Sequence, residues 1–107
     1  HKNYDEIDVL ERGGWWMRQL HIFMDPFYYI DYTLAQVCAL QFWSRAQKKD
    51  PSTLKDYKKI CKLGGSLPFR QIVQAANLKS PFEEGCLDET MKEVQNALNA
   101  ITDEELQ

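Results

Sequence analysis

The sequence of 107 residues contains few of the groups from which metal sites and common catalytic sites are built. Its two histidines are His1 and His21, and it has no H-E-x-x-H motif, so an ordinary zinc site cannot be assembled from it. A G-x-S-x-G motif, a P-loop and a Rossmann glycine pattern are also absent. These absences predict that the chain by itself holds no metal and catalyses no reaction.

Cysteine is also scarce, because Cys38, Cys61 and Cys86 are the three in the chain and no C-x-x-C pair occurs. An odd number of widely spaced cysteines favours reduced thiols over a disulfide framework, which predicts a cytoplasmic protein. A catalytic cysteine is disfavoured, since His21 is the one internal histidine that could support it.

Long apolar runs and a basic surplus are missing as well. No run approaches the roughly 18 apolar residues that span a bilayer, so we expect no membrane insertion. The net charge of −3 and the pI near 5.3 argue against general binding of nucleic acid. The opening residues, HKNYDE, are unusual for a natural start and predict that the chain is a fragment of a longer protein.

The residues that are present indicate helices. Apolar side chains recur at spacings of three and four, and no stretch shows the alternation typical of a half-buried strand. We therefore predict an all-α fold, a compact bundle of about five helices in one helical segment covering residues 1–107. The predicted helices span residues 4–20, 26–47, 51–63, 66–77 and 88–101.

Turn and cap residues set these predicted boundaries. Asp25 and Asp50 are predicted N-caps, each followed by proline at the first helical position. Gly64 and Gly65 end the third helix. Ser80 to Glu83 has the capping-box form, and the final TDEE could start a further helix. Gly13 and Gly14 mark a kink, a break or a close approach of another backbone.

The helix predicted over residues 26–47 is apolar around most of its circumference, so it should be buried around most of it and form the centre of the fold. Charge is segregated elsewhere, because residues 45–62 hold seven of thirteen basic residues and residues 83–105 hold eight of sixteen acidic ones. Two solvated helix faces, which could face each other, explain this pattern better than a specific anionic ligand.

The stretch HIFMDPFYYIDYTLAQ, residues 21–36, is the most informative one. It contains His21 and three tyrosines, and nine of the thirteen aromatic residues lie between Trp15 and Trp43. One interpretation is an aromatic core with a satisfied histidine. The other is that a loop at Asp25–Pro26 folds the imidazole over the first helical turns, where it and the phenols would clamp a carbonyl or an oxyanion.

The segment RQLHIFMDPFYYIDYTLAQVCALQFW resembles the C-terminal catalytic segment of the oligoendopeptidase F and Pz-peptidase group, relatives of thimet oligopeptidase. The resemblance continues through GGSLPFRQIVQAANLKSPFEEG and so covers nearly the whole chain. Its specific part is a histidine followed by a proline-aromatic turn and by YYIDY at the start of a helix.

The resemblance implies a zinc metallopeptidase that hydrolyses short peptides in a deep, mainly helical channel. In that family an H-E-x-x-H helix and a downstream glutamate bind zinc, but no position here matches them. By motif match, His21 and Tyr32 are expected to be catalytic. Tyr32 is expected to stabilise the oxyanion, and His21 to donate to the same oxygen or to a neighbouring substrate carbonyl. Tyr29, or less favourably Tyr28, is expected to bind substrate backbone.

Two further expectations follow from a fragment that lacks the N-terminal part of its catalytic domain. It should expose apolar side chains, for example around Trp15 and Trp16, and should form a dimer or larger oligomer to cover them. The alternative function is a non-catalytic helical module that binds a protein or peptide. In such a module the hydroxyls of Tyr29 and Tyr32 should bond to backbone within a closed core.

Overall fold

The computed structural model describes residues 3–102, and the all-α prediction is confirmed for this range. It contains six α-helices, one 3-10 helix (Gly14–Arg18) and no β-strand within these residues. The α-helices are α1 (Asp8–Glu11), α2 (His21–Met24), α3 (Tyr29–Gln47), α4 (Thr53–Leu63), α5 (Phe69–Ala75) and α6 (Cys86–Asn99). None of the helices described is both long enough and apolar enough to cross a membrane. The helix predicted to start at TDEE lies almost entirely outside the described residues.

Contacts divide the chain into two compact units, an N-terminal unit (His1–Thr33) and a C-terminal unit (Leu34–Gln107). Helix α3 starts in the first unit and continues into the second. The candidate residues of the sequence motif all belong to the N-terminal unit, whereas the buried core described below belongs to the C-terminal unit.

In the N-terminal unit the predicted helix over residues 4–20 is interrupted at its glycines. Gly13 has φ of +87°, a left-handed conformation that favours glycine, and it separates α1 from the 3-10 helix. Gly14 packs closely, because a Cβ there would lie 2.4 Å from the carbonyl oxygen of Val9. The glycine pair therefore marks both a break and a close backbone approach.

The predicted N-cap at Asp25 and helix start at Pro26 are wrong. Residues 25–28 form a turn in which the Tyr28 N–H donates to the Asp25 carbonyl at 3.1 Å, and α3 begins at Tyr29. Phe27 has φ of +69°, which is incompatible with a continuous right-handed helix. The chain thus ends α2, turns and only then starts α3.

The prediction that this central helix is buried around most of its circumference is also wrong. Val37 is the single buried residue of α3, and in its first turns Ile30 and Tyr32 are 54% and 53% exposed. Within residues 3–102 these first turns of α3 stay largely exposed, so the apolar composition did not lead to burial. Trp15 and Trp16 are also exposed, as expected from the sequence.

The core of the C-terminal unit is small. Val73, Ala76 and Leu78 are buried, and Phe42 and Ile60 pack against them together with Cys38. Helices α4 and α5 pack against each other within this unit. The predicted end of the third helix at Gly64 is confirmed, and α5 and α6 lie within two residues of most of their predicted boundaries.

Two predicted caps form their contacts without starting a helix where expected. The Asp50 carboxylate accepts hydrogen bonds from the Ser52 N–H and hydroxyl, but α4 begins at Thr53, because residues 51 and 52 form a turn. Glu83 accepts from the Ser80 N–H at 3.3 Å, and the Ser80 hydroxyl accepts from the N–H of Phe82. That capping box closes a turn, and the following helix starts only at Cys86.

A network centred on Arg45 joins α3, α4 and the end of α5. The guanidinium contacts the carboxylates of Asp50 and Asp56, each at 2.7 Å, and also donates to the Ala76 carbonyl at 3.2 Å. Asp56 is 5% exposed and accepts a further hydrogen bond from Asn77. Because a buried carboxylate requires a partner, Arg45 permits α4 to pack with this aspartate facing inward.

The Arg45 network predicts loss of stability in acid. Hydrogen bonds from Ser52 and Arg45 lower the pKa of Asp50 to about 2, and bonds from Arg45 and Asn77 lower the pKa of Asp56. Because these pKa values are lower in the folded than in the unfolded chain, their stabilisation is complete above pH about 4 and is lost as the pH falls toward about 2.

We therefore expect the melting temperature, followed by circular dichroism, to fall between pH 4 and pH 2. The fall should be smaller in Asp50→Asn than in the wild type, because that variant removes one of the two titrations. Asp88→Asn, which changes an exposed acid outside the network, serves as the matched control and should keep the wild-type slope. Equal slopes in all three proteins would contradict the assignment.

Two ion pairs connect the basic and acidic parts of the C-terminal unit. Lys48 contacts Glu93 at 2.9 Å, and Lys79 contacts Glu89 at 2.8 Å. The two acids belong to α6, whereas Lys48 immediately follows α3. Of these two pairs, only Lys48–Glu93 joins the basic segment 45–62 to the acidic segment 83–105, because Lys79 lies outside the basic segment. Exposed pairs of this kind add little stability.

Candidate functional site

The candidate site consists of His21, Tyr28, Tyr29 and Tyr32, which we call the His–Tyr cluster. His21 is the first residue of α2, and the turn at residues 25–28 reverses the chain before α3. Tyr29 and Tyr32 then follow three residues apart, a spacing that places side chains on the same side of a helix. The loop formed by residues 25–28 allows His21 of α2 to face the first helical turn of α3.

Each ring of the His–Tyr cluster contacts at least one other ring of the cluster. The centroid of the His21 ring is 5.9 Å from that of Tyr29 and 6.2 Å from that of Tyr32. Tyr29 and Tyr32 are 6.1 Å apart, and Tyr28 packs edge-on against Tyr32 at 5.4 Å. The structure therefore brings all four sequence-predicted residues together, while their roles in catalysis remain predictions.

The His–Tyr cluster is open to solvent. Tyr28, Tyr29 and Tyr32 are 49%, 39% and 53% exposed, and His21 is exposed as well. The Tyr32 hydroxyl donates to the Tyr28 hydroxyl at 3.5 Å, and no backbone group of residues 3–102 bonds to the hydroxyls of Tyr29 or Tyr32. This arrangement differs from the closed core expected of the alternative interaction module and leaves the polar groups available to a ligand.

The surroundings of Tyr32 favour its protonated form. The hydrogen bond to Tyr28 is the largest cause that raises the pKa of Tyr32 above 10.0, and the carboxylates of Asp25 and Asp31 raise it further. Since a phenol with this pKa keeps its proton at neutral pH, Tyr32 can donate a hydrogen bond to an oxygen that gains negative charge.

The described residues do not fit a metal ion. No group of three or more histidine, cysteine, aspartate or glutamate side chains with suitable geometry occurs within residues 3–102. The three cysteines are free thiols, and burial raises the pKa of both Cys38 and Cys86. These two thiols are thus poor candidates for metal ligands or nucleophiles.

Sequence reasoning missed two features. The influence of Asp25 and Asp31 on Tyr32 was not predicted, although all three belong to the same motif. The Arg45 network was missed too, because its partners are spread along the chain and no local spacing connects them. By contrast, the Tyr28–Tyr32 contact had a usable signal in its separation of four residues.

Comparison with solved structures connects this geometry to known proteins. A chain assigned as oligoendopeptidase F is 50% identical with a TM-score of 0.82, and it matches 99% of this chain. Pz peptidase A, solved with an inhibitor, is likewise 50% identical with a TM-score of 0.82 over 95% of this chain. A third chain, assigned as oligoendopeptidase F from Bacillus anthracis str. Ames, is 43% identical with a TM-score of 0.70 over 95%.

The chain belongs to the oligoendopeptidase F and Pz-peptidase group. It spans 18–19% of the length of these three structures and corresponds to the C-terminal part of a larger peptidase. No family model matches the chain. No curated protein matches it either. Membership of this peptidase group therefore rests on the three solved structures, whose sequences are 43–50% identical to this chain over 95–99% of its length.

Proposed function

We propose that this chain is the C-terminal segment of a zinc-dependent oligoendopeptidase and supplies the groups that stabilise the oxyanion during hydrolysis of short peptides. His21 and Tyr32 are the proposed oxyanion donors, and Tyr29 is the proposed contact to substrate backbone. The observation that carries the proposal is the exposed His–Tyr cluster of a chain from a peptidase group. In it the ring centroids of His21, Tyr29 and Tyr32 lie about 6 Å from one another.

The proposed chemistry follows from the charge that amide hydrolysis creates. Attack of water on the scissile carbonyl turns its oxygen into an oxyanion, and donors already aimed at that position lower the barrier. Tyr32 offers a protonated phenol, and an imidazole N–H of His21 offers a second donor beside it. The two donors belong to α2 and α3, which are joined by one turn, so their separation depends on the conformation of residues 25–28.

The zinc site implied by the resemblance does not belong to the described part of this chain, which has no suitable ligand group. We therefore assign zinc and the activation of water to the part of the peptidase that this chain does not span. The peptide substrate and the N-terminal part of the catalytic domain are the expected partners. A cytoplasmic location is supported by three cysteines without a disulfide. The comparisons give no support to the predicted dimer, which stays a prediction.

A chimera tests this proposal. The matching segment of the neighbour assigned as oligoendopeptidase F would be replaced by this chain, which is 50% identical to it. We expect the chimera to hydrolyse an internally quenched peptide at a rate within about tenfold of the parent, because hydrophobic replacements of similar volume are well tolerated in packed interiors. The parent without the segment should be inactive. A folded, zinc-loaded chimera without peptidase activity would contradict the proposal.

A further inference from the structure

Tyr28 contacts the proposed oxyanion donor rather than standing apart from it. Its ring lies 5.4 Å from that of Tyr32 at an interplanar angle of 80°, the edge-to-face arrangement that aromatic pairs prefer. The two hydroxyl oxygens are 3.5 Å apart, with Tyr32 as the donor. Both the ring and the hydroxyl of Tyr28 are thus directed at Tyr32, although Tyr28 itself lies in the turn before α3.

We propose that Tyr28 is a positioning residue, which orients the Tyr32 side chain and acts as the second hydroxyl of a two-phenol donor chain. This inference rests on the proposed function. It differs from the sequence-based expectation for Tyr28, which was contact with substrate backbone. The ring contact restricts the rotamers of Tyr32, and the hydroxyl contact defines where its O–H points.

The O–H bonds of Tyr28 and Tyr32 would both change direction when the site passes from its resting state to the reaction. In the resting site Tyr32 donates to Tyr28. When an oxyanion forms, the Tyr32 hydrogen turns toward it, and the freed Tyr32 oxygen can accept the hydrogen of Tyr28. Hydrogen bonds in such a chain strengthen one another, so Tyr28 would make Tyr32 a better donor. No covalent bond is formed or broken in this rearrangement.

The groups that face Tyr32 come from each element around it. His21 of α2 and Tyr29 of α3 contact its ring, at 6.2 Å and 6.1 Å between centroids. Asp25 in the turn and Asp31 in α3 act on it through their negative charge and raise its pKa, and the hydrogen bond to Tyr28 raises that pKa most. Removal of the Tyr28 hydroxyl should therefore change the titration of Tyr32 while both carboxylates remain.

Steady-state kinetics of the chimera separates positioning from substrate binding. For Tyr28→Phe, which keeps the ring and removes the hydroxyl, we expect kcat to fall about fivefold with KM nearly unchanged. The double variant Tyr28→Phe/Tyr32→Phe should be no slower than Tyr32→Phe, because Tyr28 acts only through the Tyr32 hydroxyl. Tyr57→Phe removes the same atom from a tyrosine of the other unit and should change nothing.

Direct titration of the 107-residue chain supplies a readout that does not depend on peptidase activity. With 13C-labelled tyrosine, NMR should show that the titration of Tyr32 changes in Tyr28→Phe and stays as in the wild type in Tyr57→Phe. An unchanged pKa would overturn the hydroxyl contact.

An active chimera in which the Tyr28→Phe and Tyr32→Phe losses multiply, or in which Tyr28→Phe raises KM instead, would overturn positioning alone. An inactive chimera would overturn the proposed function, and the titration would still decide whether the two phenols are coupled.

Discussion

Replacement of Tyr32 by phenylalanine is expected to lower kcat of the chimera by about 100-fold or more, with little change in zinc content. The substitution removes one oxygen and leaves the ring contacts to His21 and Tyr28, which are 6.2 Å and 5.4 Å between centroids. The loss should therefore report the missing donor rather than a repacked cluster. Because the donor acts on charge that develops in the transition state, kcat should change more than KM.

The matched control for Tyr32→Phe is again Tyr57→Phe. Tyr57 and Tyr32 are both 53% exposed, so the two substitutions remove the same atom from equally accessible side chains. Turnover should be unchanged in Tyr57→Phe, and both variants should keep the parent melting temperature within a few degrees, since each loses only an exposed hydroxyl. Unchanged turnover in Tyr32→Phe would remove this tyrosine from the mechanism and leave His21 as the one proposed donor.

Substitution of His21 is expected to have the second largest effect. In His21→Phe the aromatic contacts with Tyr29 and Tyr32 can persist, but the N–H donor is lost. We expect kcat of the chimera to fall about 50-fold, less than the roughly 100- to 1000-fold typical for removal of one oxyanion donor, because Tyr32 still donates. His21→Gln retains an N–H donor on a more flexible side chain and should lose less, on the order of tenfold, because the donor is less well aligned.

The pair of His21 variants distinguishes a donor from a spacer. If the imidazole served only to pack against the tyrosines, the phenylalanine variant would be the more active of the two, because it keeps the ring. That order of activities would contradict the donor role. Zinc content, measured on each purified variant, should equal that of the chimera, since no metal ligand is proposed in this chain and none is formed by residues 3–102.

Local signals in the sequence predicted a large part of the fold. The end of α4 at Gly64 followed from the preference of glycine for a positive φ, which is +52° there. The break at Gly13–Gly14 followed from the same physics. The spacing of Tyr29 and Tyr32 predicted their shared side of α3. Each of these inferences depends on a few neighbouring residues, and tertiary packing did not override them.

Boundaries near proline were predicted less well. Asp25–Pro26 and Asp50–Pro51 both suggested a helix start, but both steps lie in turns that precede the helix by two or three residues. A proline after an aspartate favours a turn as strongly as a first helical position, so the local pattern does not distinguish them. The hydrogen bonds of Asp50 to Ser52 show which outcome occurred at the second site.

The sequence alone determined that the chain is helical, that the helix predicted over residues 4–20 breaks at its glycines, and that α4 ends at Gly64. It also determined which four residues belong to the His–Tyr motif. Each of these results depends on local conformational preference or on a contiguous pattern. Tertiary structure decided that α3 exposes its first turns and that Asp56 faces inward against Arg45. These outcomes depend on which surfaces are covered in three dimensions and on which partners lie within about 3 Å of a polar atom. Spacing along the chain encodes neither of these.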